Sequence, residues 1–153
     1  MNNLSEALNS LKTGDVETRK NTARSIGVQG SAAAAAVPAL IEALNDNEAT
    51  VSMTAAWALG KIGHSATAAV PSLVRLAQSL AGRQDDTAIV MKRAFIFQAL
   101  VDLDSKAAIP LLEQAIQEKQ GECFDLLHRQ AKKLLAVLNG TPSETPRRPF
   151  STY

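Results

Sequence analysis

Two segments of this chain repeat each other 33 residues apart, and that period constrains the fold more than any single residue does. "ARSIGVQG" (Ala23 to Gly30) aligns with "AWALGKIG" (Ala56 to Gly63), matching an alanine, Gly27 with Gly60 and Gly30 with Gly63. "AAVPALIEAL" (Ala35 to Leu44) aligns with "AAVPSLVRLA" (Ala68 to Ala77) at the same spacing, and "AAIPLLEQAI" (Ala107 to Ile116) is a stretched third copy. A fixed period of this length marks stacked units, none of which can bury its apolar face alone. The chain reads as about four such units.

Each unit reads as two helices. Pro38, Pro71 and Pro110 sit at first-turn positions, where the missing N–H is not needed. The residue before each of them (Val37, Val70, Ile109) is expected outside the helical region, which places a break there. Leu40, Ile41 and Leu44 then form one apolar stripe, "NDNEAT" turns the chain, and Val51, Ala55, Leu59 and Ile62 form a second. Gly60 and Gly63 are expected to close that second helix. "SAAAAAVP" and its partner "HSATAAVP" read as tight corners between units, where only small side chains fit.

The first unit runs from Leu4 to about Ala36, with Asn3 and Glu6 spaced as an N-cap and its return partner. In the third, "SLAGRQDDTAIV" lengthens the turn between the helices by about eight residues. The expected fold is all-α, a right-handed α-solenoid of about four helical hairpins over residues 1–138. Residues 139–153, "NGTPSETPRRPFSTY", carry three prolines and no apolar period, and are expected to form a flexible C-terminal tail.

Composition narrows the function classes. Aromatics make up 4% of a chain that is 46% hydrophobic, which suits close-packed helices rather than a β-sandwich. A formal net charge of +1 gives no global attraction to nucleic acid or anionic lipid. The first residues, "MNNLSEALNS", lack the basic and apolar regions of a signal peptide, and no apolar run approaches the roughly 20 residues that span a bilayer. The single cysteine, Cys123, excludes an intrachain disulfide or a cysteine-based zinc cluster and reads as a small packing residue. A cytoplasmic location is expected.

"VPALIEALND…VSMTAAWALGKIG" resembles the HEAT-like repeat of the phycobilisome lyase type, and the resemblance covers about residues 3–138. It implies the solenoid directly and function only broadly: members of that group include bilin lyase subunits, phycobilisome-degradation factors, metal-dependent hydroxylases and plain scaffolds. The arginine that recurs in such repeats matches Arg19 in the first unit and Arg93 in the third. Ser52 and His128 stand at that position in the second and fourth units, which breaks the ladder. Hydroxylating members hold iron with His-Glu pairs, but His64 precedes Ser65 and His128 precedes Arg129, so no metal site is expected. No phosphate-binding glycine loop, nucleophile elbow or zinc-protease pattern is present. Asp85 and Asp86 suit the positive end of a helix dipole, whereas Asp102 and Asp104 have no functional account. No catalytic residue and no cofactor are assigned.

What remains is a binding face. With Val51 at zero on a helical wheel turning about 100° per residue, Val51, Ala55, Ala58, Leu59 and Ile62 cluster on one side. Met53 and Trp57 lie opposite, facing the groove that stacked second helices line. The repeat aligns them with Lys20 and Arg24 in the first unit, Ala94 and Gln98 in the third, and Arg129 and Lys133 in the fourth. With Lys61, this gives an apolar centre between basic ends, suited to a partner protein that presents acidic residues around an apolar knob. Packing of Trp57 on a neighbouring repeat is the structural alternative. Acids start the second helices (Asp15, Glu17, Glu48, Asp86) and bases follow (Lys92, Lys132), a segregation that helix dipoles alone also produce.

Arg147, Arg148 and Phe150 in the tail could dock on another protein as a short linear segment. The leading expectation is a non-enzymatic interaction module or scaffold. A role in bilin attachment to or detachment from antenna proteins is the alternative that the resemblance implies. Nucleic-acid binding ranks below both, because one Trp, one Tyr and a charge of +1 make no basic stacking groove. Self-association through the solenoid ends stays open.

Overall fold

A computed structural model describes residues 2–83, 86–118 and 124–140. The described residues form α1 (Asn2–Thr13), α2 (Val16–Val28), α3 (Val37–Ala43), α4 (Ala49–Ile62), α5 (Val70–Ser79), α6 (Thr87–Asp102), α7 (Ala108–Gln117) and α8 (Phe124–Leu138), with no strand among them. They pair as α1 with α2, α3 with α4, α5 with α6 and α7 with α8. The second helices stack directly, α2 on α4, α4 on α6 and α6 on α8, while α1 packs on α3 and α5 on α7. The result is a two-layered all-α solenoid.

The apolar stripes do the stacking. Val51, Ala55, Ala58 and Leu59 are fully buried and Ile62 nearly so, and Leu40 of α3 and Leu44 just past its end are buried with them. Further along, Ile96, Phe97 and Leu100 of α6, Leu112 of α7 and Leu127 and Ala131 of α8 continue it without a break. Burying a side chain of this kind stabilises the fold by about 1.5–3 kcal/mol.

The corners are short 3-10 helices, Gly30–Ala36 and Gly63–Ala69. Gly30 (φ 59°) and Gly63 (φ 70°) open them in the left-handed region, where a Cβ would be strained. Inside, Ala33 and Ala66 leave helical geometry, and Ala33, Ala36, Ala66 and Ala69 are buried, so nothing larger than a methyl group fits. His64 is exposed in the second corner.

Several local expectations are corrected. Val37 (φ −52°, ψ −46°) and Val70 (φ −52°, ψ −49°) are helical, and Ile109 lies inside α7, so the break does not fall before the prolines. It falls earlier, within the alanine corners, because each proline stands near the helix start, where its ring meets no preceding turn. Gly60 does not end its helix; like Gly27 it lies within one, at a close helix crossing described below. α1 already includes Asn2, so Asn3 is not its N-cap. Part of the added length in the third unit is helix rather than turn: α5 has 10 residues against 7 in α3, and α6 has 16 against 14 in α4. Cys123 and Asp85 lie outside the described residues.

Candidate functional site

Trp57 is half-buried on α4, between α2 and α6. Its position depends on Gly27 of α2. A Cβ at Gly27 would stand 2.6 Å from Trp57 Cζ3 and 2.9 Å from the Ala58 Cα, so only glycine lets α4 and the indole edge approach. One edge of the ring is therefore packed on the neighbouring repeat, and another part borders open space.

Two hollows lie there, and Trp57 and Phe95 border both. The first, about 290 Å³, is lined by Arg24 of α2, Thr54 and Trp57 of α4, and Phe95 of α6. The second, about 300 Å³, lies between α4, α6 and α8 and is lined by Trp57, Met91, Ala94, Phe95, Gln98, Ala99, Asp102 and Gln130. Met91 is 41% exposed, and Phe95 is half-buried against the core. Lys61, exposed one turn after Trp57, places Nζ 6.0 Å from the indole centroid, within reach of a cation–π attraction.

Of the residues singled out from the sequence, Arg24, Trp57, Ala94 and Gln98 line these hollows and Lys61 flanks them. Met53 is half-buried one turn earlier and lines neither. Lys20 donates to Glu17 Oε2 at 2.7 Å, which answers its charge within its own helix. This bond and one from Asn21 hold the Glu17 carboxyl below its ordinary range. Arg129 and Lys133 are exposed on α8, and Gln130, between them, is the residue that reaches the second hollow. Thr54, Met91, Phe95 and Gln130 carry no expectation from the sequence, and Asp102, which has no functional account there, lines the second hollow. The tail residues Arg147, Arg148 and Phe150 lie outside the described residues.

The two ladder arginines work as clasps between neighbouring repeats. Arg19 donates from Nε and Nη2 to both carboxylate oxygens of Asp46 (2.7 and 2.9 Å) and from Nη1 to the Gly14 carbonyl (2.8 Å). The Arg19 hydrogen bonds, first among several causes, hold Asp46 below its ordinary pKa. Arg93, 1% exposed, donates from Nη1 and Nη2 to Glu118 Oε2 and Oε1 at 2.6 and 2.9 Å. At the broken rung, buried Ser52 donates to the Leu44 carbonyl at 2.5 Å and so tethers the end of α3. Burial pushes the Lys92 pKa down, partly opposed by Asp46.

The acids that start the second helices largely serve those helices. Asp15 accepts from the Thr18 N–H at 2.7 Å and Asp86 from the Ala88 N–H at 2.8 Å, while Asp46 accepts from the Glu48 N–H at 2.9 Å. These bonds satisfy helix-start donors. Asp102 accepts from Gln98 Nε2 at 2.8 Å and packs its carboxylate against Gly60, where an added Cβ would meet Oδ2 at 3.0 Å.

Another hollow, about 810 Å³, lies against α1, α2 and the first corner and is lined mainly by polar groups such as Ser10, Thr18, Asn21, Thr22 and Gln29. Among the described residues no group of three His, Cys, Asp or Glu side chains converges as metal ligands would, and no helix is long and apolar enough to cross a membrane.

The stacked helical hairpins agree with the family comparison, in which the HEAT-repeat profile matches residues 4–91. The chain is a HEAT-repeat protein. The match is to HEAT repeats in general and does not reach the phycobilisome lyase subtype. No curated protein matches the chain in sequence. HEAT repeats generally mediate protein–protein interaction, and HEAT-repeat proteins are typically non-catalytic scaffolds.

Proposed function

We propose that this HEAT-repeat protein is a non-enzymatic interaction module that binds a partner protein across the face of α2, α4 and α6, centred on Trp57. The observation that carries the reading is that Trp57 borders two hollows at once while Arg24 and Lys61 stand beside it. A large aromatic held by its own scaffold loses little entropy on binding, and such residues dominate interface energetics. The exposed cations favour a partner segment that carries acidic groups around its apolar contact.

The test is affinity capture from lysate with wild type, Trp57→Ala and Arg24→Glu, followed by titration of the identified partner in purified form. Arg75→Glu, exposed on α5 in the other layer, serves as the control. Loss of a central aromatic is expected to weaken binding by roughly 30-fold or more, as for a hot-spot residue. Equal affinity for wild type and Trp57→Ala would move the interaction off this face.

A further inference from the structure

The hollow between α4, α6 and α8 has a polarity opposite to that of its surroundings. Trp57, Met91 and Phe95 supply apolar walls, and Asp102 is the one charged residue that lines it. Gln98 donates to Asp102 Oδ1 at 2.8 Å, and Gln130 donates to the Ala94 carbonyl at 3.3 Å. Each bond uses one N–H of its amide, so the carboxylate of Asp102 remains the charged group of the lining. A carboxylate beside aromatic walls disfavours an anionic guest and suits a cationic one.

We propose that this hollow takes a lysine or arginine side chain of the partner, with its apolar stem against Trp57 and Phe95 and its charged tip at Asp102. The inference rests on the proposed use of this face and adds the chemistry of its anchor. The stem buries apolar surface while the head stays at the polar rim. The head gains a charge-assisted hydrogen bond to the carboxylate and attraction to the aromatic faces. Lys61 already places a cation near the same indole from outside the hollow. The partner segment then carries one basic anchor for this hollow and a carboxylate for Arg24 in the adjoining one, an order that fixes its direction across the repeats.

The test uses the full chain and two probes of similar size and opposite charge, phenethylammonium and 3-phenylpropionate, at pH 7 and equal ionic strength. Trp57 is the sole tryptophan, so its indole N–H resonance reports occupancy without assignment ambiguity. The ammonium probe is expected to bind about three- to fivefold more tightly, the range of an exposed ion pair. This runs against the formal net charge of +1, which would favour the carboxylate. Asp102→Asn, which keeps the acceptor for Gln98, should level the two affinities, and Glu113→Gln, exposed on α7, should leave the preference intact.

Tighter binding of the carboxylate, a preference that survives Asp102→Asn, or no indole shift with either probe overturns the proposal. If Trp57→Ala weakens the partner while the probes show no ammonium preference, the face is used and only the anchor's charge is wrong. If the preference holds but Trp57→Ala leaves the partner's affinity unchanged, the hollow is selective and the reading of the face fails.

Discussion

Gly27→Ala gives the sharpest check on how Trp57 is held. Two opposed effects decide its sign. Alanine in a helix interior is favoured over glycine by about 1 kcal/mol. Against this, the new Cβ would lie 2.6 Å from Trp57 Cζ3, 2.9 Å from the Ala58 Cα and 3.0 Å from the Ala58 Cβ. Carbon atoms in contact prefer about 3.5–4.0 Å. The indole could swing aside, but the Ala58 Cα belongs to the α4 backbone and moves only with the helix. Overpacking of this kind costs about 1–3 kcal/mol, and with two faces obstructed the upper half of that range applies. The net expectation is destabilisation of about 1–2 kcal/mol.

Gly60 supplies the internal control. There the nearest atoms are Asp102 Oδ2 at 3.0 Å and the Ala99 Cα at 3.2 Å, and the first belongs to an exposed side chain that can rotate. Crowding and helix propensity should nearly cancel, leaving Gly60→Ala within about 0.5 kcal/mol of wild type. Urea unfolding followed by circular dichroism at 222 nm measures both variants, and Trp57 fluorescence reports whether the indole has moved. The reasoning is refuted if Gly27→Ala is as stable as wild type, or if Gly60→Ala loses as much as Gly27→Ala does.

The clasps yield two further expectations. Arg93→Ala should destabilise by about 3–5 kcal/mol, because it leaves the Glu118 carboxylate without its buried partner; Arg93→Met with Glu118→Leu should recover most of that loss in the same urea assay. Asp46 has its folded-state pKa held below the ordinary 3.8, so its contribution is present above the unfolded value and is lost as pH falls through the folded one. Stability of wild type relative to Asp46→Asn should therefore be constant near neutrality and shrink as the pH falls below about 4, and an advantage that persists unchanged at pH 2 would contradict the assignment.

Much of the fold was legible because the repeat carries its own evidence. Val51, Ala55, Ala58, Leu59 and Ile62 were placed on one side of α4 by period alone, and all are buried. The alanine corners were legible for the same reason, since two copies agreed. The helical conformation of Val37 and Val70 was not, because the steric rule for residues before proline is a bias that a helix already under way can overcome. The site was legible in part. Aligning repeats through Arg19, Ser52 and Arg93 put Arg24, Trp57, Ala94 and Gln98 on the open face, and all four line the hollows, whereas Met53 lines neither. Thr54, Phe95 and Gln130, each one residue past an aligned position, line them as well, because side chains lean toward the helix N-terminus and a patch is also covered by residues about one position further along than a wheel suggests.

One repeat position carries opposite charges in successive copies. Nine residues after Ser52 stands Lys61, beside the indole, and nine residues after Arg93 stands Asp102, in the lining of the second hollow. The glycine one position earlier in the second repeat, Gly60, leaves room for the Asp102 carboxylate, and its counterpart Gly27 leaves room for the Trp57 ring. A glycine kept at the same place in two repeats thus seats an aromatic wall at one crossing and an acceptor at the next. Were Gly27 present only to let helices approach, an alanine at position 58 would be satisfied by any small neighbour and the indole would need no slot. The slot is occupied by Trp57 Cζ3, which ties the closeness of the first two repeats to the ring that borders both hollows.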